Sequence, residues 1–330
     1  YGHELGRRHL EQTFPNEVTT VSYENVTEKN IASAMEEAIH AGCNIIFTTT
    51  PTFAQESLRA AITHPEVRIL NCSLNTTHRY IRTYYTRMHE AKFLMGAIAG
   101  EMAENDKIVY IADYPILGTI AQINAFALGA QMTNPRAKVY LEWSTLKEQD
   151  IEKRIDEIDP NCISGKDIIV PDDNNHFYGV YHRESGGGEQ KNLAMPLCHW
   201  GKFYEELIRT IMAGNWEQDN DVEKAINYWW GMPTGVVDVI CSKKLPAGTV
   251  RLVNVLKHNY KTGQFHTFTD QMYAQGHILK EKKGETLSPE EVIEMDWLAE
   301  NIIGRIPKIE ELQEQAKPVL TQQGIETRKG

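Results

Sequence analysis

The chain has 330 residues, 41% hydrophobic and 24% charged. That is a globular composition of about two domains, and without a run of ~18 apolar residues it offers nothing that spans a membrane. A net charge of −11 excludes a broad nucleic-acid surface, which needs clustered Lys and Arg.

Residues 1–11 read as a helix with Leu5, His9 and Leu10 near one face. An α/β protein normally sets a strand before its first helix, so the first strand of the first lobe is expected to be missing, with a leader, a lipid-anchor cysteine or an upstream domain removed. Val18–Tyr23 is β-branched and predicts a strand. Asn30–Ala41 carries apolar residues at helical spacing, and Gly42 ends it. Cys43–Thr48 predicts an apolar strand, Gln55–Thr63 a helix and Val67–Cys72 a strand. Near-continuous apolar strands between helices indicate a parallel sheet covered on both faces. Helices over Ala91–Ala103 and Ile120–Met132 alternate with strands over Lys107–Ala112 and Lys138–Trp143. A helix near Glu148–Ile158 and short strands at Cys162–Ser164 and Phe177–Tyr181 follow, and Ser185–Glu189 makes a hairpin-like loop. Beyond it come a helix over Lys202–Ala213, a strand-like Trp229–Ile240 and a helix over Arg251–Lys257. Ser288-Pro289-Glu290-Glu291 opens a helix with a capping-box pattern, and Ile309–Ala316 predicts a last one.

Cys43, Cys72, Cys162, Cys198 and Cys241 are odd in number, far apart and without a CxxC. They read as small thiols with mostly apolar flanks, with neither a metal site nor a disulfide framework, and lean toward a reducing compartment. The sequence carries no GxSxG, HExxH, P-loop or dinucleotide fingerprint. No catalytic residue, metal ligand or cofactor is expected.

Ligands of open parallel sheets bind beyond the carboxyl ends of strands. The segments there are Thr48 to Phe53, Asp113-Tyr114 after Ala112, Ser144-Thr145 after Trp143, Lys166-Asp167 after Ser164, and His182-Arg183 after Tyr181. Candidate ligand-binding residues are therefore Thr48, Thr50, Phe53, Asp113, Tyr114, Trp143, Lys166, Asp167, His182 and Arg183. Hydroxyls, carboxylates and rings suit a small polar, partly aromatic molecule. Each has a plainer reading: Thr50 as a helix cap, Asp113 as a turn residue, Trp143 as packing, Lys166 and Asp167 as a solvated pair.

Several segments resemble the basic membrane protein (BMP) family of nucleoside-binding receptors. Tyr1–Arg8 resembles the family's "aHdlGr" and Ala41–Thr50 its "GcdlIFatS". Tyr84–Gly96 resembles "e.rYLaG", Lys107–Ala112 "kIGyv" and Ile123–Ala130 "inaF.lGa". The likeness covers most of residues 1–145 in order and is looser from 160 on. It implies an α/β type I periplasmic-binding-protein fold of two Rossmann-like lobes with three crossovers. The implied lobes are residues 1–105 with 196–232, and 106–195 with 233–330. It also implies a receptor that closes on a nucleoside-like or other hydroxylated, aromatic metabolite. The partner would be an ABC permease, and the location extracytoplasmic, with a removed N-terminal anchor as the link to the membrane. One departure is clear. Where nucleoside-binding members carry "GvDsDq", this chain reads Tyr178-Gly179-Val180-Tyr181-His182-Arg183, and His182 and Arg183 favour an anionic or acceptor-rich group. Trp200, Trp229 and Trp230 fall near the expected second and third crossovers, where they either pack or adjust the pocket; Trp200 and Trp230 join the candidate set. The competing readings are a cytoplasmic ligand-sensing domain of a regulator and an enzyme on the same scaffold.

Overall fold

The computed structural model describes residues 2–74, 80–167, 178–184, 186, 189–216, 227–282 and 284–325. In chain order these form α1 (Gly2–Thr13), α2 (Ile31–His40), β1 (Ile45–Thr48), α3 (Ala54–Thr63), β2 (Arg68–Cys72), β3 (Arg82–Thr86), α4 (Met88–Met102), β4 (Lys107–Ala112), α5 (Thr119–Thr133), β5 (Lys138–Trp143), α6 (Ile151–Ile158) and β6 (Cys162–Ser164). There follow β7 (Val180–Arg183), β8 (Gln190–Cys198), α7 (Trp200–Met212), β9 (Tyr228–Trp230), β10 (Val237–Cys241), α8 (Ala247–Lys261), β11 (Met272–Ala274), β12 (Ile278–Lys280), α9 (Pro289–Ile293), β13 (Ile302–Ile303) and α10 (Lys317–Gln323).

The chain divides into two compact units and passes between them three times. Unit one is Tyr1–Thr86 with Cys198–Gly231; unit two is Arg87–Leu197 with Met232–Gly330. The helix over Met88–Met102, expected in the first lobe, is thus grouped with the second unit.

Unit one holds a sheet of order β1-β2-β3-β9, parallel throughout. Ile31, Met35 and Ala38 of α2 and Ala60 and Ala61 of α3 cover it in one apolar cluster with Ile46 and Ile69. Gly42 takes φ +88° beyond α2 and donates to the Ile39 carbonyl, the left-handed exit its sequence position predicts. Val18–Tyr23 is no strand. Its Val21 is 54% exposed, and Thr20 bonds Arg7 and Glu11 of α1 instead. β-propensity without a ladder partner does not make a strand.

Unit two holds a sheet of order β10-β8-β7-β6-β4-β5-β13. β6, β4, β5 and β13 are parallel, but β7 runs antiparallel to both β6 and β8. The connection between β7 and β8 is too short for a crossover, so it closes a hairpin. Phe177, expected to start that strand, lies outside the described residues, as do Ser185, Gly187 and Gly188 of the loop. Helices α4 and α5 bury most of their residues and touch through glycines. A Cβ on Gly96 would stand 1.9 Å from the Phe126 carbonyl oxygen, and one on Gly129 2.0 Å from that of Phe93.

Two sequence expectations are redrawn at the C-terminal side. Trp229–Ile240 splits into β9 and β10 around a 3-10 turn at Met232–Thr234. Ile309–Ala316 forms two 3-10 turns, and α10 starts only at Lys317, where Pro318 is tolerated because the first helical turn needs no donor there. The capping box at Ser288 forms: its hydroxyl accepts from the Glu291 N–H, and the Glu291 carboxylate accepts from the Ser288 N–H.

Candidate functional site

Parallel strands bring their carboxyl ends to one edge of a sheet. In unit one that edge holds Thr48, Cys72, Thr86 and Trp230. Thr48 is 5% exposed and its hydroxyl is fully engaged: it accepts from Asn71 Nδ2 at 2.8 Å, lies 3.0 Å from Ser57 Oγ and donates to the Leu70 carbonyl at 3.2 Å. Thr50 caps the 3-10 turn Pro51–Phe53. Phe53 packs into the apolar cluster under α2 and α3. Two other groups here are buried without a hydrogen-bond partner, Asn71 Oδ1 and Ser73 Oγ. Such orphans are rare in folded proteins, and both sit at the end of β2.

A ring cluster adjoins this edge. Trp200, at the start of α7, lies 4.1 Å from the His3 ring and 5.6 Å from Phe203. Trp230 lies 4.7 Å from Phe203. Cys198 Sγ donates to Thr86 Oγ1 at 3.5 Å, which anchors the approach to α7 at the end of β3. His3, Trp200 and Trp230 are half-buried. A polar chain threads the cluster. The Tyr84 hydroxyl donates to the Thr48 carbonyl at 3.3 Å and lies 3.2 Å from the Tyr204 hydroxyl. Tyr204 in turn lies 2.6 Å from His3 Nδ1. Each hydroxyl has one proton. If Tyr84 gives its own to Thr48, Tyr204 must donate to Tyr84, and His3 Nδ1–H must donate to Tyr204. His3 Nε2 is then an acceptor. Burial pulls His3 down to about 4, which keeps the ring neutral at pH 7, and pushes Tyr204 up.

The carboxyl edge of unit two holds Asp113, Ser144, Ser164 and the turn Gly165–Asp167. Asp113 is exposed and accepts from the Ser144 hydroxyl, while its carbonyl accepts from Thr145. Tyr114 is half-buried against Leu312, Ala316 and Leu320. Trp143 is 3% exposed, and its indole N–H donates to the Arg305 carbonyl at 2.8 Å. Lys166 is exposed. Asp167 takes a 2.7 Å ion pair from Lys92 of α4, whose side chain is 2% exposed against 27% for Asp167.

His182 and Arg183 require a correction. Because β7 is antiparallel, its last residues lie at the opposite end of the sheet: His182 pairs with Cys162, the first residue of β6. Arg183 is engaged there with Asp156 at 2.5 Å. The expectation placed both beyond a carboxyl end, which holds only for a parallel strand.

The family model described as ABC transporter substrate-binding protein, PnrA-like (Bmp) matches residues 1–187, more than half of the chain. The protein belongs to this PnrA-like family. A purine-binding protein of Brucella abortus (strain 2308) is 25% identical over 320 residues, 93% of this chain and 89% of the relative. A Haloferax volcanii protein provisionally described as an ABC transporter glucose-binding protein is 26% identical over 248 residues, 72% of this chain and 61% of the relative. Among solved structures, a transcriptional activator of the comK gene from Bacillus halodurans aligns with TM-score 0.59 at 15% identity, covering 80% of this chain and 94% of that one. An ABC transporter solute-binding protein from Conexibacter woesei aligns with TM-score 0.53 at 10% identity, covering 80% and 92%. These identities speak for the fold alone, and with the two units and three passes they establish the type I periplasmic-binding-protein fold.

As a PnrA-like protein the chain is a solute-binding receptor of ABC-type transport, with a small-molecule ligand and a permease partner. In this PnrA-like chain all five cysteines are free; Cys72 and Cys162 are buried and the other three half-buried. No helix among the described residues is long and apolar enough to cross a membrane. The shallow groove of about 480 Å³ bordered by Gly100, Glu104, Asp106, Asn134 and Arg136 lies at the amino ends of β4 and β5, away from the loops just described.

Four residues at these two edges are absent from the sequence candidates: Lys92 in unit two, and His3, Asn71 and Ser73 in unit one; Ser73 follows the predicted strand Val67–Cys72 directly. Lys92 carried a signal, since a lysine between Ala91 and Phe93-Leu94-Met95 breaks an otherwise apolar helix and must be paired if buried. His3 carried a weaker one, two residues into a helix that begins the described chain. Asn71 and Ser73 flank the end of a predicted strand and differ from other polar residues only in each carrying one buried oxygen, Oδ1 and Oγ, without a hydrogen-bond partner.

Proposed function

We propose that the protein binds a purine nucleoside or a related hydroxylated aromatic metabolite outside the cytoplasm and hands it to an ABC-type permease. The observation that carries this reading is the placing of half-buried rings beside unpartnered polar atoms at one strand edge of unit one. Trp200, Trp230 and His3 offer faces on which a flat ring stacks. Asn71 Oδ1 and Ser73 Oγ offer atoms that ring N–H and hydroxyl groups would satisfy. Unit two presents the Asp113 and Asp167 carboxylates at the carboxyl edge of its own sheet. Packing engages Phe53 and Trp143, so the stacking role moves to Trp200 and Trp230. The name of the Brucella relative, a purine-binding protein, points the same way, and that of the Haloferax relative agrees with a hydroxylated solute.

Calorimetric titration with purine nucleosides, purine bases and hexoses tests the reading. A nucleoside or base should bind with a Kd in the micromolar range or below. Trp200→Ala should weaken it at least tenfold, about 1.4 kcal/mol, and Asp113→Ala several-fold. Failure of every compound in the panel, or unchanged affinity in both variants, overturns it.

A further inference from the structure

Cations gather around one helix of unit two. Residues 239–269 carry Lys243, Lys244, Arg251, Lys257 and Lys261 and no acid, in a chain whose Asp and Glu outnumber its Lys and Arg by 45 to 34. Helix α8 buries Thr249, Val253, Leu256 and Tyr260 on one face. Its opposite face shows Arg251, Val255, His258 and Lys261, and Val255 is 57% exposed. Spacings of four and three residues put Arg251 and His258 on either side of that valine. Lys257 lies 2.8 Å from Asp238 Oδ1 and donates to the Val239 carbonyl. This holds the end of β10 against the helix, where Ile240 is 49% exposed. Lys243, Lys244, Arg251 and Lys261 make no ion pair among the described residues.

The fold does not ask for this pattern. Lys243 and Lys244 are exposed just before the N-terminus of α8, the end at which the helix dipole favours negative charge. An aliphatic side chain left among cations in water contributes nothing to folding. A protein partner matches the face poorly. Protein interfaces are depleted in Lys and enriched in aromatic residues, whereas these cations are mostly lysines around an aliphatic centre. A diffuse anionic surface matches it well, because long lysines reach separate phosphates while the aliphatic side chains enter the interface.

We propose that this face of α8, with the two lysines before it, docks on a bilayer rich in anionic lipids. It is a function of unit two separate from the solute site. A cluster of this size on an amphipathic helix is what anionic headgroups attract, and each cation near the surface contributes roughly fivefold in affinity. The net negative charge of the chain does not prevent contact, since at about 0.1 M salt charges more than about 10 Å apart are largely screened.

Co-sedimentation of the intact chain with vesicles tests the assignment. One set is pure phosphatidylcholine; the other is equal parts phosphatidylcholine and phosphatidylglycerol. The chain should bind the mixed vesicles, leave them as salt is raised, and not sediment with the pure ones. Lys243→Gln/Lys244→Gln/Lys261→Gln should melt near the parent and weaken binding roughly 100-fold. Lys29→Gln/Lys138→Gln/Lys153→Gln removes three exposed cations elsewhere and gives the same net charge, yet should bind as the parent does. Val255→Ser should weaken binding a few-fold. Equal binding to both kinds of vesicle, binding to neither, or equal losses in the two triple variants overturns the proposal. Capture by polyglutamate without binding to vesicles also overturns it, and assigns the face to an acidic protein segment instead.

Discussion

The Glu90 carboxylate accepts the backbone N–H of Met232 at 2.6 Å, tying together two places where the chain has just entered unit two. Glu90 lies in the first turn of α4, three residues past the start of that segment at Arg87, and Met232 begins the next segment. The carboxylate is buried, and burial raises its pKa, while the Arg87 guanidinium and the Met232 N–H act the other way.

Removing that acceptor should cost stability. Glu90→Ala leaves the Met232 N–H buried and unpaired, a loss of about 1–3 kcal/mol. Glu90→Gln retains a carbonyl acceptor and should lose much less. The sign of the pH effect separates the two forms of the wild-type group. A carboxyl whose folded pKa lies above its unfolded value favours the fold when protonated, and that contribution fades as pH rises through the folded pKa. The melting temperature of wild type relative to Glu90→Gln should therefore fall between pH 4.5 and 7. A flat difference would show that Glu90 is not held in an unfavourable charge state.

Two histidines act in the opposite sense. Burial pulls His89 down to about 3 and His3 to about 4, from an ordinary 6.5. The unfolded chain binds these protons first, so their contribution is complete above pH 6.5 and is lost as pH falls toward 3. Thermal melts at pH 7, 5.5 and 4.5 should show a steep acid loss that His89→Gln makes shallower. An acid limb of equal slope in the variant would assign the loss to other groups.

The α4–α5 contact predicts a sharp contrast among glycines. Gly96→Ala or Gly129→Ala drives a methyl against a backbone carbonyl, and should cost at least about 1–3 kcal/mol by overpacking. Gly42→Ala meets nothing within 4 Å; only its φ of +88° resists, at about 1 kcal/mol. Urea midpoints of the three variants rank the two mechanisms.

Breaking the buried pair from either side should not be symmetric. Asp167→Asn strands the Lys92 ammonium in the interior, a loss of about 3–5 kcal/mol. Lys92→Met leaves a carboxylate that is 27% exposed and can recruit water, so it should cost less. Adding Lys92→Met to Asp167→Asn should restore most of the stability, which a double-mutant cycle reads directly. Equal losses in the single variants would contradict the burial asymmetry.

Much of the fold was legible in the residues because it is decided within a few positions along the chain. The apolar run at Cys43–Thr48, the glycine exit at Gly42, the capping box at Ser288 and the alternation of strands and helices to Trp143 all depend on side chains that meet their own neighbours. The family's segments through Ala130 were readable for the same reason. What failed depended on partners far away. Val18–Tyr23 has a strand's composition but no ladder to join. Phe53 and Trp143 look like rings at strand ends, yet the core and the Arg305 carbonyl claim them.

The direction of β7 was decided by the sheet, and it carried His182 and Arg183 to the wrong end for a strand-edge site. The pairing of Lys92 with Asp167, 75 positions apart, and the idle acceptors on Asn71, Ser73 and Ser164 exist only once the chain is folded. Composition and periodicity say where a polar residue stands along an element. Whether its hydrogen bonds are already spent is set by what tertiary packing brings against it.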